Sequence, residues 1–101
     1  MSYYFIATDP DQEKNGYYKV SKSTNLTTTL ASLNNCRACK DFKIIKNWPC
    51  SDIKKAEEFI KSALKNRYVY NSTEWIKIPD DGLLQKTIAK IETLISIVND
   101  E

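Results

Sequence analysis

Residues 18–34 read YKVSKSTNLTTTLASLN, and the change of period inside this stretch decides the fold. Its first half continues GYYKVSK over 16–22, a β-branched and aromatic run behind the Asn15-Gly16 turn signal, and predicts a strand. Its second half sets Leu26, Leu30 and Leu33 at i, i+4 and i+7. That spacing predicts a helix to Asn34, capped by Ser23 or Thr24. Thr27, Thr28 and Thr29 are weak helix formers, so this helix depends on packing.

Working outward, YYFIAT over 3–8 predicts a first strand that Asp9-Pro10-Asp11 ends with turn chemistry. It should pair antiparallel with 16–22 across a connection longer than a tight hairpin. DFKIIKNW over 41–48 predicts a third strand stopped by Pro49. Ser51 or Asp52 then caps a helix whose Ile53, Ala56, Phe59, Ile60, Ala63 and Leu64 form one apolar stripe. Short strand-like segments at 68–70 and 74–78 precede a last helix over 81–98. The order is β-β-α-β-α-β-α: one α+β domain over 1–101, with a mainly antiparallel central sheet flanked by helices.

In the last helix Leu84, Ile88, Ile91, Ile95 and Val98 follow a 4-3-4-3 spacing, widened by Leu83, Thr87 and Leu94. Two readings stay open: packing on the chain's own sheet, or a seam for a homodimer. Ile97 falls off the stripe.

A length of 101 residues with 42% hydrophobic and 28% charged residues fits one globular domain. No apolar run is long enough for a membrane span, and the amino terminus does not read as a signal peptide. Three cysteines without a secretory signal point to reduced thiols and an intracellular setting. Cys36, Cys39 and Cys50 are the metal candidates by spacing, but three thiols without histidine fall one ligand short of a structural zinc site. The chain contains no histidine, which excludes every mechanism that needs its own imidazole.

Net charge is only +2, yet it is unevenly placed. Residues 19–67 carry eleven bases and four acids, a net +7, between two acidic flanks. Such a centre suits phosphate, and solvated helix faces are the competing explanation. Glu57 and Glu58 are adjacent on a helix and point about 100° apart, so they form no carboxylate dyad.

Three segments together resemble the phage and large-DNA-virus branch of the GIY-YIG nuclease superfamily. They are Ser2-Tyr3-Tyr4-Phe5-Ile6 against the branch's GYVYI, residues 18–34 against YKIGKTTNLKRRLKSLN, and Glu74-Trp75-Ile76 against EWF. Glu57 and Lys61 stand where its helix carries E-x-x-x-H, and the likeness spans residues 2–78. The resemblance implies a tyrosine near the scissile phosphate, an arginine on the first helix, a metal-holding glutamate and a histidine. Those positions hold Phe5, Thr29, Glu57 and Lys61, and Ser21 replaces the glycine of the second motif.

Only the glutamate is retained, so the resemblance implies a nuclease-like fold without nuclease activity. The expectation is a binding module that contacts DNA through Lys19, Lys22, Lys43, Lys46, Lys54 and Lys61, with Tyr4, Tyr17 and Tyr18 as stacking groups. No cofactor is expected, and magnesium or manganese at Glu57 only if activity persists with Tyr4 or Tyr18. A structural or protein-interaction role, as a dimer or virion-associated component, and a divergent metal-dependent endonuclease stay open as alternatives. Thirteen lysines, eleven isoleucines and eight asparagines suggest an AT-rich coding sequence. With the family branch this points to a viral chain in the host cytoplasm or nucleus.

Overall fold

β1 (Ser2–Thr8) is buried continuously from Tyr4 to Thr8, so it lies inside the sheet rather than at its edge. The computed structural model describes residues 2–35, 42–69 and 74–100. After β1 come α1 (Pro10–Lys14), β2 (Tyr17–Ser23), α2 (Leu26–Asn34), β3 (Lys43–Cys50), α3 (Ile53–Ala63), β4 (Trp75–Lys77) and α4 (Asp81–Asn99). The sheet order is β3-β1-β2-β4, with every pairing antiparallel.

Strand alternation divides the interior in two. Tyr4 and Ile6 of β1, Tyr18 and Val20 of β2, and Trp48 and Cys50 of β3 join the larger core with α3 and α4. Phe5, Ala7 and Phe42 form a smaller core on the other face, packed against Leu26, Leu30 and Leu33 of α2. The threonine-rich helix is held by those three leucines, as its weak propensity requires.

Four local expectations need correction. The β1–β2 connection contains the short helix α1. Asp9 caps it by accepting from the Gln12 N–H at 2.8 Å, and Pro10 sits in its first turn. The cap of α2 is Asn25, which accepts from the Thr28 N–H at 3.1 Å, rather than Ser23 or Thr24. Ser23 instead accepts from the Asn25 N–H and bonds the Thr29 hydroxyl. β3 runs through Pro49 to Cys50; it is an edge strand, where a residue without an N–H is tolerated.

The fourth correction concerns α4. Leu84, Ile88, Ile91, Ile95 and Val98 are all buried in the chain's own larger core. Their spacing therefore serves the fold, and a homodimer contact through them is ruled out by burial. Ile97 is the one large hydrophobic residue exposed among those described. Near the end of α4, Asn99 accepts from the Ser51 N–H at 2.9 Å and donates to the Pro49 carbonyl at 2.9 Å, fastening the helix to the β3–α3 junction.

Gly16 is required by geometry. Its φ is +79°, and a Cβ there would lie 2.8 Å from the Ile78 carbonyl oxygen. The Ile78 N–H donates to the Gly16 carbonyl at 2.7 Å, so the backbones cannot easily separate. Gly16→Ala should lower unfolding free energy by about 1–3 kcal/mol, read from urea denaturation midpoints. Ile91→Ala, at a fully buried site, should cost about 2–5 kcal/mol by the same measure. An unchanged midpoint for either would contradict the packing described.

Candidate functional site

β4 is only three residues long and pairs with β2 at Tyr17, Tyr18 and Lys19 alone. Among the described residues, the remainder of β2, through Ser21, Lys22 and Ser23, has no strand partner on that side, and charged side chains gather there. Lys22 reaches the Glu57 carboxylate of α3 at 3.0 Å. Lys61, one helical turn after Glu57, lies 3.9 Å from the same carboxylate. Lys19 pairs with Glu74 at 2.6 Å, and the Ser21 hydroxyl donates to Glu74 at 3.2 Å.

Glu57 is about three-quarters buried, with side-chain exposure of 24%. Its carboxylate already has two ammonium groups in place. A divalent cation normally takes several oxygen ligands, one or two of them carboxylates. This arrangement fits such an ion poorly, because cation charge already occupies the carboxylate.

The other positions of the nuclease motif are dispersed. Phe5 is buried in the smaller core under α2. Thr29 is occupied by its 2.5 Å bond to Ser23. Tyr4 points to the opposite face from Phe5, into the larger core. Burial drives the Tyr4 hydroxyl well above its ordinary pKa, reinforced by Tyr68, Glu57, Glu74 and Cys50. Tyr68 is raised by burial and by the same two carboxylates, and its hydroxyl is buried with no partner among the described residues. Tyr18 is raised by burial and by Glu13 and Asp81. Tyr4 and Tyr18 are thus core residues, which corrects their assignment as stacking groups; Tyr17 alone of the three keeps part of its ring at the surface.

Two adjoining depressions lie beside Lys22. One, of about 410 Å³, is lined by Ser23, Asn25, Thr28, Thr29 and Ile53 as well as Ser2 and Lys22. The other, of about 660 Å³, shares Ser2, Lys22 and Ile53 and adds Cys50 to Lys54. Hydroxyl and amide groups, two lysines and the Asp52 carboxylate make this a polar cleft rich in hydrogen-bonding groups.

The remaining lysines are paired by the acidic flanks. Lys43 meets Glu13 at 3.5 Å, and Lys46 meets Glu92 at 3.3 Å. Of the six lysines expected to contact nucleic acid, only Lys54 has no carboxylate in ion-pair range among the described residues. Cys50 is buried, its thiol raised by burial, and donates to the Trp48 carbonyl at 3.8 Å. Cys36 and Cys39 lie outside the described residues, and among the described ones no three metal-binding side chains converge.

Glu74 is the site residue that sequence reading did not single out. It was visible as part of Glu74-Trp75-Ile76, and its role follows from the pairing of β4 with β2, which sets it beside Lys19 and Ser21. Burial alone would raise its carboxyl. The hydrogen bond and charge of Lys19, with Ser21 and Lys61, outweigh burial and hold it below the ordinary value. A depressed folded-state pKa gives stability that is present above the unfolded value and lost as pH falls through the folded one. Glu74→Gln should therefore show a shallower loss of stability than the parent below about pH 4. Urea midpoints at several pH values test this, and equal acid sensitivity would contradict it.

Comparison with known proteins adds one positive finding. The T5orf172 domain matches residues 2–99, which extends past the motif likeness to include α4. Neither the curated proteins nor the solved structures gave a match. No helix among the described residues is long and apolar enough to cross a membrane.

Proposed function

This chain belongs to the T5orf172 domain family, a GIY-YIG-like and phage-associated family, and on that premise we propose that it is a nucleic-acid-binding module without nuclease activity. The observation that carries this reading is the Glu57 carboxylate held by Lys22 at 3.0 Å and Lys61 at 3.9 Å. The family's metal-binding position then carries resident ammonium groups in place of a divalent cation. Phe5 lacks the hydroxyl of a tyrosine, and Thr29 lacks the guanidinium of an arginine. Removing one charge-stabilising donor from such a site typically costs about 10²–10³ in rate, and here several are absent together.

Binding is a different demand, and the same residues can meet it. Lys22 is half-exposed, and exposed ion pairs are worth only about 0.2–1 kcal/mol, so a phosphate can compete with Glu57 for Lys22. The cleft beside Lys22 and Lys54, with Ser23, Thr28 and Asn25 along its wall, is the surface assigned to the backbone of the nucleic acid. Because most of the lysines are already neutralised, the salt dependence should be shallow. Each phosphate neutralised contributes a slope of roughly −0.9 in log K against log salt, and two lysines set the expected value near −2. The family branch and the lysine, isoleucine and asparagine enrichment support a viral source.

Glu57→Gln gives opposite signs for the rival readings. In a binding module it removes an anion that competes with phosphate, and affinity for a duplex of about 20 base pairs should rise about two- to fivefold. Incubation of the parent with that duplex and either magnesium or manganese should leave the DNA intact. Cleavage that disappears in Glu57→Gln would establish a divergent nuclease instead. No detectable binding at low salt would refute the nucleic-acid reading altogether.

A further inference from the structure

Tyr17, Lys19, Trp75 and Lys77 share one face of the β2–β4 pair, because Tyr17 stands opposite Lys77 and Lys19 opposite Trp75. The residues between them, Tyr18 and Ile76, are buried in the larger core on the other face. The smaller core under α2 ends at Trp75, whose ring meets Phe42 edge-on with centroids 6.1 Å apart. Beyond that contact Tyr17, Trp75, Val69 and Gln12 line a groove of about 290 Å³. The Lys77 ammonium lies 5.7 Å from the Tyr17 ring centroid, and the Lys19 ammonium 5.7 Å from that of Trp75. Two half-buried aromatic rings, each beside a lysine ammonium, thus flank one small and mainly apolar groove.

We propose that this groove takes an unpaired base of a single-stranded nucleic acid, on a surface separate from the Lys22–Lys54 cleft. The proposal rests on the nucleic-acid reading above and adds the strand state and a second contact site. The groove has the chemistry such a ligand needs: flat π-faces for a base and lysines for the phosphates on either side. A base–aromatic stack is stronger than an exposed cation–π contact. The base can therefore displace the ammonium groups from the rings, leaving Lys77 to move toward phosphate while Lys19 stays paired with Glu74. Gln12 lines the groove with a side-chain amide that has no partner among the described residues, which offers one donor and one acceptor to a base edge.

The test is a fluorescence titration of the full chain with a 12-nucleotide oligothymidine, its uridine counterpart and a 12-base-pair duplex. Trp48 is buried in the larger core, so quenching on binding reports Trp75. The expected result is quenching by a single strand and none by the duplex. Tyr17→Ala should weaken single-strand binding about tenfold while Tyr17→Phe restores it. Trp75→Ala should weaken it similarly; since Trp75 also packs on Phe42, the Tyr17 pair is decisive if that variant does not fold. Tighter binding of the uridine strand than the thymidine strand identifies RNA as the ligand, and the reverse identifies DNA. Duplex binding with no single-strand quenching and no effect of Tyr17→Ala overturns this proposal while the broader reading stands. If none of the three probes binds, both fall.

Discussion

The rest of the structure depends on β1 being covered on both faces. From Tyr4 to Thr8 every side chain is buried, and alternation sends Tyr4 and Ile6 toward α3 and α4 while Phe5 and Ala7 meet α2. A strand in that position needs apolar residues at successive positions, which is what YYFIA supplies. It also needs neighbours on both sides, which β2 and β3 provide. The same requirement decides where the residues aligned with the first-strand motif lie. Its first-strand position, Phe5, is consumed by the smaller core, and the adjacent Tyr4 by the larger one.

Charge is the second organising term. The +7 centre and its acidic flanks are separate in the sequence, but the fold brings them together. Glu13 from the first flank pairs with Lys43, while Glu74 and Glu92 from the last pair with Lys19 and Lys46. The Lys43 and Lys46 pairs are weak, since solvent screens half-exposed ions, whereas Lys19 is mostly buried. Their joint effect is to offset the charge of Lys19, Lys43 and Lys46. A surface neutralised in this way favours modest, exchangeable contacts over tight electrostatic capture.

Much of the architecture was legible from residue period and caps. The strand–helix switch within 18–34, the apolar stripe of α3 capped by Asp52 and the long α4 all follow from local pattern. α1 was not legible, because five residues are too few to show a period, and its signal is the Asp9–Pro10 cap instead. Pro49 misled because its effect depends on whether a strand is central or at an edge, and no local reading carries that information. The α4 seam was ambiguous for a similar reason. A heptad-like spacing describes which side chains share a face, and burial alone says what covers that face.

The sequence by itself determined the α+β class, the order of its main elements and the identities of Phe5, Thr29, Glu57 and Lys61 at the positions that the resemblance aligns. These are properties of residue identity and short-range spacing, to which backbone geometry responds directly. Tertiary structure decided which distant carboxylates meet which lysines, that Lys22 of β2 reaches Glu57 of α3, and that Tyr17 and Trp75 flank one groove. Those contacts join residues up to 58 positions apart, as Tyr17 and Trp75 are. They exist because strand register fixes side-chain neighbours that no local pattern encodes.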